Sequence, residues 1–82
     1  MNAAGCISCR TLIDVLCGRY QLAVQHAEET TIEPDRALML AEAECLRGVL
    51  LVAHVPAAEI ERLRAAGLTE ARAALAELER ER

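Results

Sequence analysis

The sequence has 82 residues with a net charge of −4, and it contains arginine but no lysine and only one aromatic residue. This length allows one domain, and the lack of a basic cluster argues against nucleic-acid phosphates and anionic membranes as partners. Alanine, leucine, glutamate and arginine favour helix, and no stretch alternates apolar and polar residues for long enough to form a half-buried strand. We therefore predict an all-α protein with a single helical domain over residues 1–82.

The first helix is predicted over residues 8–28. Ser8 can cap the free amides of the first turn, because a serine oxygen accepts hydrogen bonds from backbone N–H groups there. Thr11 is the alternative start, since Asp14 follows three residues later in the spacing of a capping box. The choice between the two starts matters, because the second one leaves Cys6 and Cys9 in a loop.

The second helix is predicted over residues 34–54. Pro34 suits the first turn of a helix, where a missing N–H group costs nothing. Glu33 and Asp35 flank it and favour the same boundary, because carboxylates are stabilised at the positive end of a helix. Pro56 marks the other end, since proline disfavours helical backbone in the residue before it.

Two shorter helices are predicted after Pro56, over residues 57–66 and 69–81. Gly67 has the features of a left-handed C-cap, which is most often a glycine. Thr69 can then cap the following helix. One continuous helix is the alternative, so the expected architecture is an antiparallel helical hairpin with one or two shorter C-terminal helices.

The first two helices each carry an apolar seam with alternating steps of three and four residues, which places its members on one helix face. In an antiparallel hairpin these seams would put Tyr20 opposite Ala41 and Leu16 opposite Cys45. Each pair sets a larger side chain against a smaller one, as close packing requires. The seam predicted for the second helix comprises Leu38, Ala41, Cys45, Gly48, Val52 and Val55.

The second helix also carries a further apolar face that one antiparallel partner cannot cover, so the third helix, the fourth helix or a second subunit must cover the rest. Without Phe or Trp, the core of so short a chain is small, and a lone monomer would be marginally stable. We therefore predict a homodimeric helical bundle or a protein partner. The predicted interaction face comprises Met39, Leu46, Val49, Leu50 and Ala53.

Four cysteines offer the main candidate chemistry. Cys6 and Cys9 have the spacing of half a zinc site, which His54 or the same pair from a second subunit could complete. The competing interpretation makes both of them apolar seam residues that need no metal, since free cysteine is often buried. Cys17 and Cys45 are predicted to be core thiols, as expected of a cytoplasmic protein.

The predicted function is a non-enzymatic interaction module without a cofactor. Neither histidine has a nucleophile beside it, and no glycine-rich phosphate loop is present in the sequence. The module would act as an adaptor or inhibitor that docks a helix face on a larger protein, in the manner of small bacterial or phage-encoded regulators. The alternative is a thiol or zinc-binding protein that uses Cys6 and Cys9.

Overall fold

A computed structural model describes residues 8–81 and contains three α-helices and no strand in that range. They are α1 (Cys9–Glu29), α2 (Glu33–Val52) and α3 (Ala57–Arg80). The all-α prediction is confirmed. None of these helices is long and apolar enough to cross a membrane.

Serine caps the start of α1, as the first of the two alternatives predicts. The Ser8 hydroxyl oxygen accepts a hydrogen bond from the backbone N–H of Thr11 at 3.1 Å. The Ser8 hydroxyl in turn donates to the Thr11 hydroxyl at 2.8 Å. These bonds satisfy one of the amides that a helix start leaves free, so α1 begins at Cys9.

The end of α2 lies two residues before the predicted end, and it forms a Schellman motif. His54 has a positive φ of 66°. Its N–H donates to the carbonyl of Leu51 at 3.0 Å, and the N–H of Val55 donates to the carbonyl of Leu50 at 2.9 Å. Val55 then packs against the core cluster that contains Leu50. The helix therefore ends through a left-handed histidine just before Pro56.

The predicted break at Gly67 is wrong, because α3 is one helix of 24 residues that passes through it. Thr69 caps nothing, and its hydroxyl donates to the carbonyl of Ala65 within the helix at 3.0 Å. Gly67 is buried against α1 instead. A Cβ atom there would lie 2.7 Å from the carbonyl oxygen of Gln21 and 3.3 Å from Val24. The glycine thus permits close approach of two helices.

The central helix of the three is α1, which packs along both α2 and α3, whereas α2 and α3 contact each other little. Arg19 forms an ion pair with Glu42 at 3.3 Å, and Arg36 donates to the carbonyl of Ala27 at 3.3 Å. The contact partner on α2 has a lower number where the residue on α1 has a higher one, so the two helices are antiparallel. The buried core cluster comprises Tyr20, Ala23, Ala43, Leu50, Ile60 and Leu63.

The seam predicted for α2 does not face α1, which corrects the predicted pairing. Ala41 and Cys45 are exposed, so neither lies against Tyr20 or Leu16 in the core. The buried positions of α2 are Ala43 and Leu50. Compared with the prediction, α2 is turned by nearly half a turn about its axis, because Ala43 and Leu50 lie on the side of the helix opposite the predicted seam. This rotation buries Leu50 and leaves Leu38 and Val52 exposed, together with the smaller residues between them.

Substitution of Gly67 tests the close approach of α1 and α3. We expect Gly67→Ala to destabilise the fold by about 1–3 kcal/mol, since the new methyl group meets a backbone oxygen that cannot turn away. Gly18→Ala is the matched control, because no atom lies within 4 Å of its Cβ position. That change should stabilise the fold by up to about 1 kcal/mol through helix propensity. Urea denaturation measures both, and stabilisation by both changes would contradict the close approach.

Substitution of His54 tests the left-handed helix end. We expect His54→Gly to raise the free energy of unfolding by about 1 kcal/mol, because glycine adopts a positive φ without the steric cost of a Cβ atom. His54→Ala retains the Cβ atom and should leave stability close to the original value. Thermal and urea melts of the two variants separate the backbone effect from loss of the imidazole. Equal stability of both variants would contradict this account.

Candidate functional site

The predicted zinc ligands are not assembled in the described part of the chain. Cys6 lies outside residues 8–81, Cys9 is exposed at the first residue of α1, and His54 is exposed beyond the end of α2. Within residues 8–81, no three His, Cys, Asp or Glu side chains are grouped so that they could hold a metal ion. A site that uses Cys6, or one shared between two subunits, stays a prediction.

The other two cysteines occupy different environments. Cys17 is half-buried against the core, and burial, followed by the nearby charges of Glu59 and Asp14, raises the pKa of its thiol. Arg62 opposes this shift. A raised pKa keeps the thiol protonated and weakly nucleophilic near neutral pH. Cys45 is exposed, so its assignment to the core is wrong.

The charged residues of α2 and α3 form exposed ion pairs within their own helices. Arg47 pairs with Glu44 at 2.9 Å, and Arg64 pairs with Glu61 at 3.0 Å. The two arginines border a cavity of about 480 Å³ above Tyr20, between α2 and α3. A third arginine, Arg36, also lines the cavity and donates to the backbone carbonyl of Ala27, so all three guanidinium groups have a partner within the chain. Such exposed pairs contribute little to stability.

The ring of Tyr20 forms the floor of that cavity and is itself almost fully buried. Burial is the main reason that the pKa of its hydroxyl is raised. The charges of Arg64 and Arg47 lower it, and those of Glu61 and Glu44 raise it, so these smaller influences oppose one another. The phenol therefore stays neutral at physiological pH and acts as a packing residue.

The predicted interaction face is partly covered by the rest of the chain, and its role in binding a partner stays a prediction. Leu50 is fully buried. Met39, Leu46 and Ala53 are half-buried, and Val49 alone of the five is exposed, at 47%. The same rotation of α2 that exposes the predicted seam turns this face toward α1. Leu50 and Leu46 of this face belong to the core, whereas Val49 and Ala53 line an apolar groove at the surface.

The opposite side of α2 carries the exposed apolar residues. Leu38 is 65% exposed and Val52 is 81% exposed, and the three smaller residues between them are also exposed. Steps of three and four residues keep all five on one face over about 21 Å of helix. No member is charged. We call this face the α2 stripe, and it comprises Leu38, Ala41, Cys45, Gly48 and Val52.

An apolar groove lies beside the α2 stripe, between the start of α1 and the end of α2. Its volume is about 380 Å³. Val52 belongs to both the stripe and the groove, so the two form one continuous surface, which we call the outer face. The residues that line the groove are Cys9, Leu12, Ile13, Leu16, Val49, Val52 and Ala53.

Sequence reasoning identified the residues of the α2 stripe but assigned them to the core. Leu12, at 46% exposure, was missed altogether, although it is an apolar residue outside the predicted seam of the first helix. In a sequence, an apolar residue that lies outside a complete seam is a signal that the helix has a second apolar face. That signal does not say which of two apolar faces is turned toward the neighbouring helix.

Comparison of the chain with protein-family models, curated proteins and solved structures found no match. The features that distinguish the site are the uncharged outer face, the half-buried protonated Cys17, and ion pairs confined to exposed positions.

Removal of metal tests the zinc alternative. We expect the far-ultraviolet circular dichroism of the purified protein to be unchanged by a strong chelator. The double variant Cys6→Ser, Cys9→Ser should retain the same helicity, since Cys9 is exposed and supports no packing. A structural zinc site would instead lose a binding energy on the order of 10 kcal/mol. Stoichiometric zinc together with loss of helicity on chelation would establish the zinc alternative.

Proposed function

We propose that the protein is a non-enzymatic interaction module that docks its outer face against an α-helix of a protein partner, and acts as an adaptor or inhibitor. The observation that carries this proposal is the continuous apolar outer face, of which Val52 is 81% exposed and Leu38 is 65% exposed. Scattered apolar residues are normal on a protein surface, whereas contiguous ones without charge mark interaction sites.

The shape of the outer face favours a helical partner. The α2 stripe is a straight row with helical spacing, and the groove beside it lies between two helices. Recognition of an amphipathic helix by a hydrophobic groove relies on anchors at three- and four-residue spacing. A partner helix with two or three apolar side chains in that spacing would remove Val52, Leu12 and Leu38 from water.

The charges around the outer face also support binding to an apolar helix surface. Glu42 lies between α1 and α2 at the edge of this face and pairs with Arg19 at 3.3 Å. Glu44 pairs with Arg47 on the other side of the stripe. Both of these carboxylates therefore have an arginine partner in the same chain, and specificity would come from the shape of the partner.

A matched pair of variants tests the proposed function. Leu38→Glu places a charge on the outer face, whereas Leu78→Glu places one at a leucine of similar exposure, 58%, on α3. We expect protein partners captured from a lysate of the source organism to be retained by the original chain and by Leu78→Glu. Leu38→Glu should lose at least about 90% of each partner, equivalent to about 1.4 kcal/mol of binding.

Circular dichroism controls for folding, and it should be unchanged in both variants because both leucines are mostly exposed. Mass spectrometry of the captured proteins provides the comparison. An identical set of partners on the original chain and on Leu38→Glu would contradict the assignment of the outer face as the binding surface.

A further inference from the structure

The ring of Tyr20 packs in the core, but its hydroxyl is left without a hydrogen bond. Tyr20 is only 3% exposed, and its hydroxyl bonds to no group of residues 8–81. The oxygen is not sealed off, because every fully buried side-chain oxygen or nitrogen in that range has a partner. It therefore opens into the cavities that Tyr20 lines. Since polar groups of buried residues are nearly always paired, such a hydroxyl is suited to a ligand.

Two cavities meet at this hydroxyl, because α2 and α3 contact each other little and leave space above α1. The larger one is the cavity of about 480 Å³ described above, and the smaller one has a volume of about 330 Å³. Both are lined by Tyr20, Arg47 and Arg64. The larger volume lies within the range of small-molecule sites in proteins, which is about 300–1,000 Å³.

Aliphatic side chains from all three helices line the larger cavity. They are Val24 of α1, Leu40 of α2 and Leu68 of α3. Leu40 is 47% exposed, so a molecule bound against it would remove apolar area from water. The cavity can therefore hold the apolar part of a ligand on three sides.

The charges of the larger cavity are complementary to a single negative charge. Arg36 donates to a backbone carbonyl and forms no ion pair within residues 8–81. Glu61, the partner of Arg64, lines the smaller cavity instead. One positive charge is thus unmatched in the lining of the larger cavity, although the whole chain has a net charge of −4. The charged residues of that lining are Arg36, Arg47, Arg64, Glu28 and Glu44.

The groups beside the Tyr20 hydroxyl also have hydrogen-bond donors to spare. Arg47 donates to Glu44 through Nε, and Arg64 donates to Glu61 through one Nη atom. A guanidinium group carries several N–H donors, so others remain on each arginine. Burial raises the pKa of Tyr20, so its hydroxyl keeps its proton and can donate as well. Carboxylates accept several such bonds, and those from guanidinium groups are strong.

We propose that this cavity binds a small monocarboxylate with an apolar body. The carboxylate accepts hydrogen bonds from Tyr20, Arg47 and Arg64, and the apolar body lies on the aliphatic side chains of the larger cavity. An anion without that body would leave the aliphatic side chains in water, and an uncharged apolar molecule would leave the hydroxyl unpaired. The cavity shares no residue with the outer face, so this site does not depend on the proposed function.

Titration of the full chain with decanoate tests the proposal. Tyr20 is the only aromatic residue of the chain, so its fluorescence reports on this site. We expect a saturable change with a dissociation constant on the order of 100 µM, as is usual for a ligand of this size. Acetate lacks the apolar body and decyltrimethylammonium has the opposite charge, so both should bind at least about tenfold more weakly. Equal affinity for decanoate and decyltrimethylammonium would overturn the proposal.

Variants studied by isothermal titration calorimetry locate the bound decanoate. Arg64→Gln removes a guanidinium group from the cavity, whereas Arg80→Gln removes one from the end of the same helix, where it pairs with Glu77 in the same spacing. We expect Arg64→Gln to weaken binding at least about fivefold, and Arg80→Gln to weaken it less than about twofold. Tyr20→Phe keeps the ring and should weaken binding by about three- to tenfold.

Circular dichroism of the three variants should match that of the original chain, because exposed ion pairs contribute little to stability and phenylalanine fills the same space as tyrosine. If Tyr20→Phe loses helicity, the pair of arginine variants still decides the question. Equal affinities of Arg64→Gln and Arg80→Gln would show that decanoate binds elsewhere and overturn the proposal. Loss of affinity in Arg64→Gln and Tyr20→Phe, with Arg80→Gln unaffected, is the result expected.

Discussion

Burial of Leu50 is the packing interaction on which the remaining structure depends. Its side chain is fully buried in one cluster with Tyr20, Ile60 and Leu63, so it joins all three helices at the place where α2 turns into α3. Placing this leucine inward fixes the rotation of α2 about its axis. Once that rotation is fixed, the residues on the opposite side of the helix must face water. The exposed outer face is therefore a consequence of how the core is filled.

The rest of the core compensates for a shortage of large side chains by close approach of backbones. Alanines such as Ala23 and Ala71 are buried where a larger core would use leucine or phenylalanine. Gly67 brings α3 close to α1, to the point where an added methyl group would meet the Gln21 carbonyl. The cost of small side chains is a limited buried apolar area, and hence limited stability. Such a chain gains from any partner that covers its exposed leucines and valines.

The outer face and the cavity above Tyr20 differ in the chemistry that they could support. Charged residues, among them the ion pair of Arg47 with Glu44, border the cavity, whereas the groove of the outer face is lined by apolar residues alone. Association through the uncharged surface would respond to apolar area and shape more than to salt. The exposed Cys45 lies on that surface, while Cys17 is held protonated near the core. Chemical modification of Cys45 would therefore report on the accessibility of the outer face, whereas modification of Cys17 would report on unfolding of the core.

The sequence by itself determined the helical class, the cap at Ser8 and the start of α2 near Pro34, because these depend on local propensity and on bonds within one turn. It could not determine the rotation of α2, since two apolar faces with the same spacing compete and only the shapes of α1 and α3 select between them. Gly67 and His54 show the same limit. A glycine suits a left-handed helix end and a close helix contact equally well. Contacts distant in sequence decided that His54 takes the left-handed position at the end of α2, and that Gly67 lies in the close contact between α3 and α1.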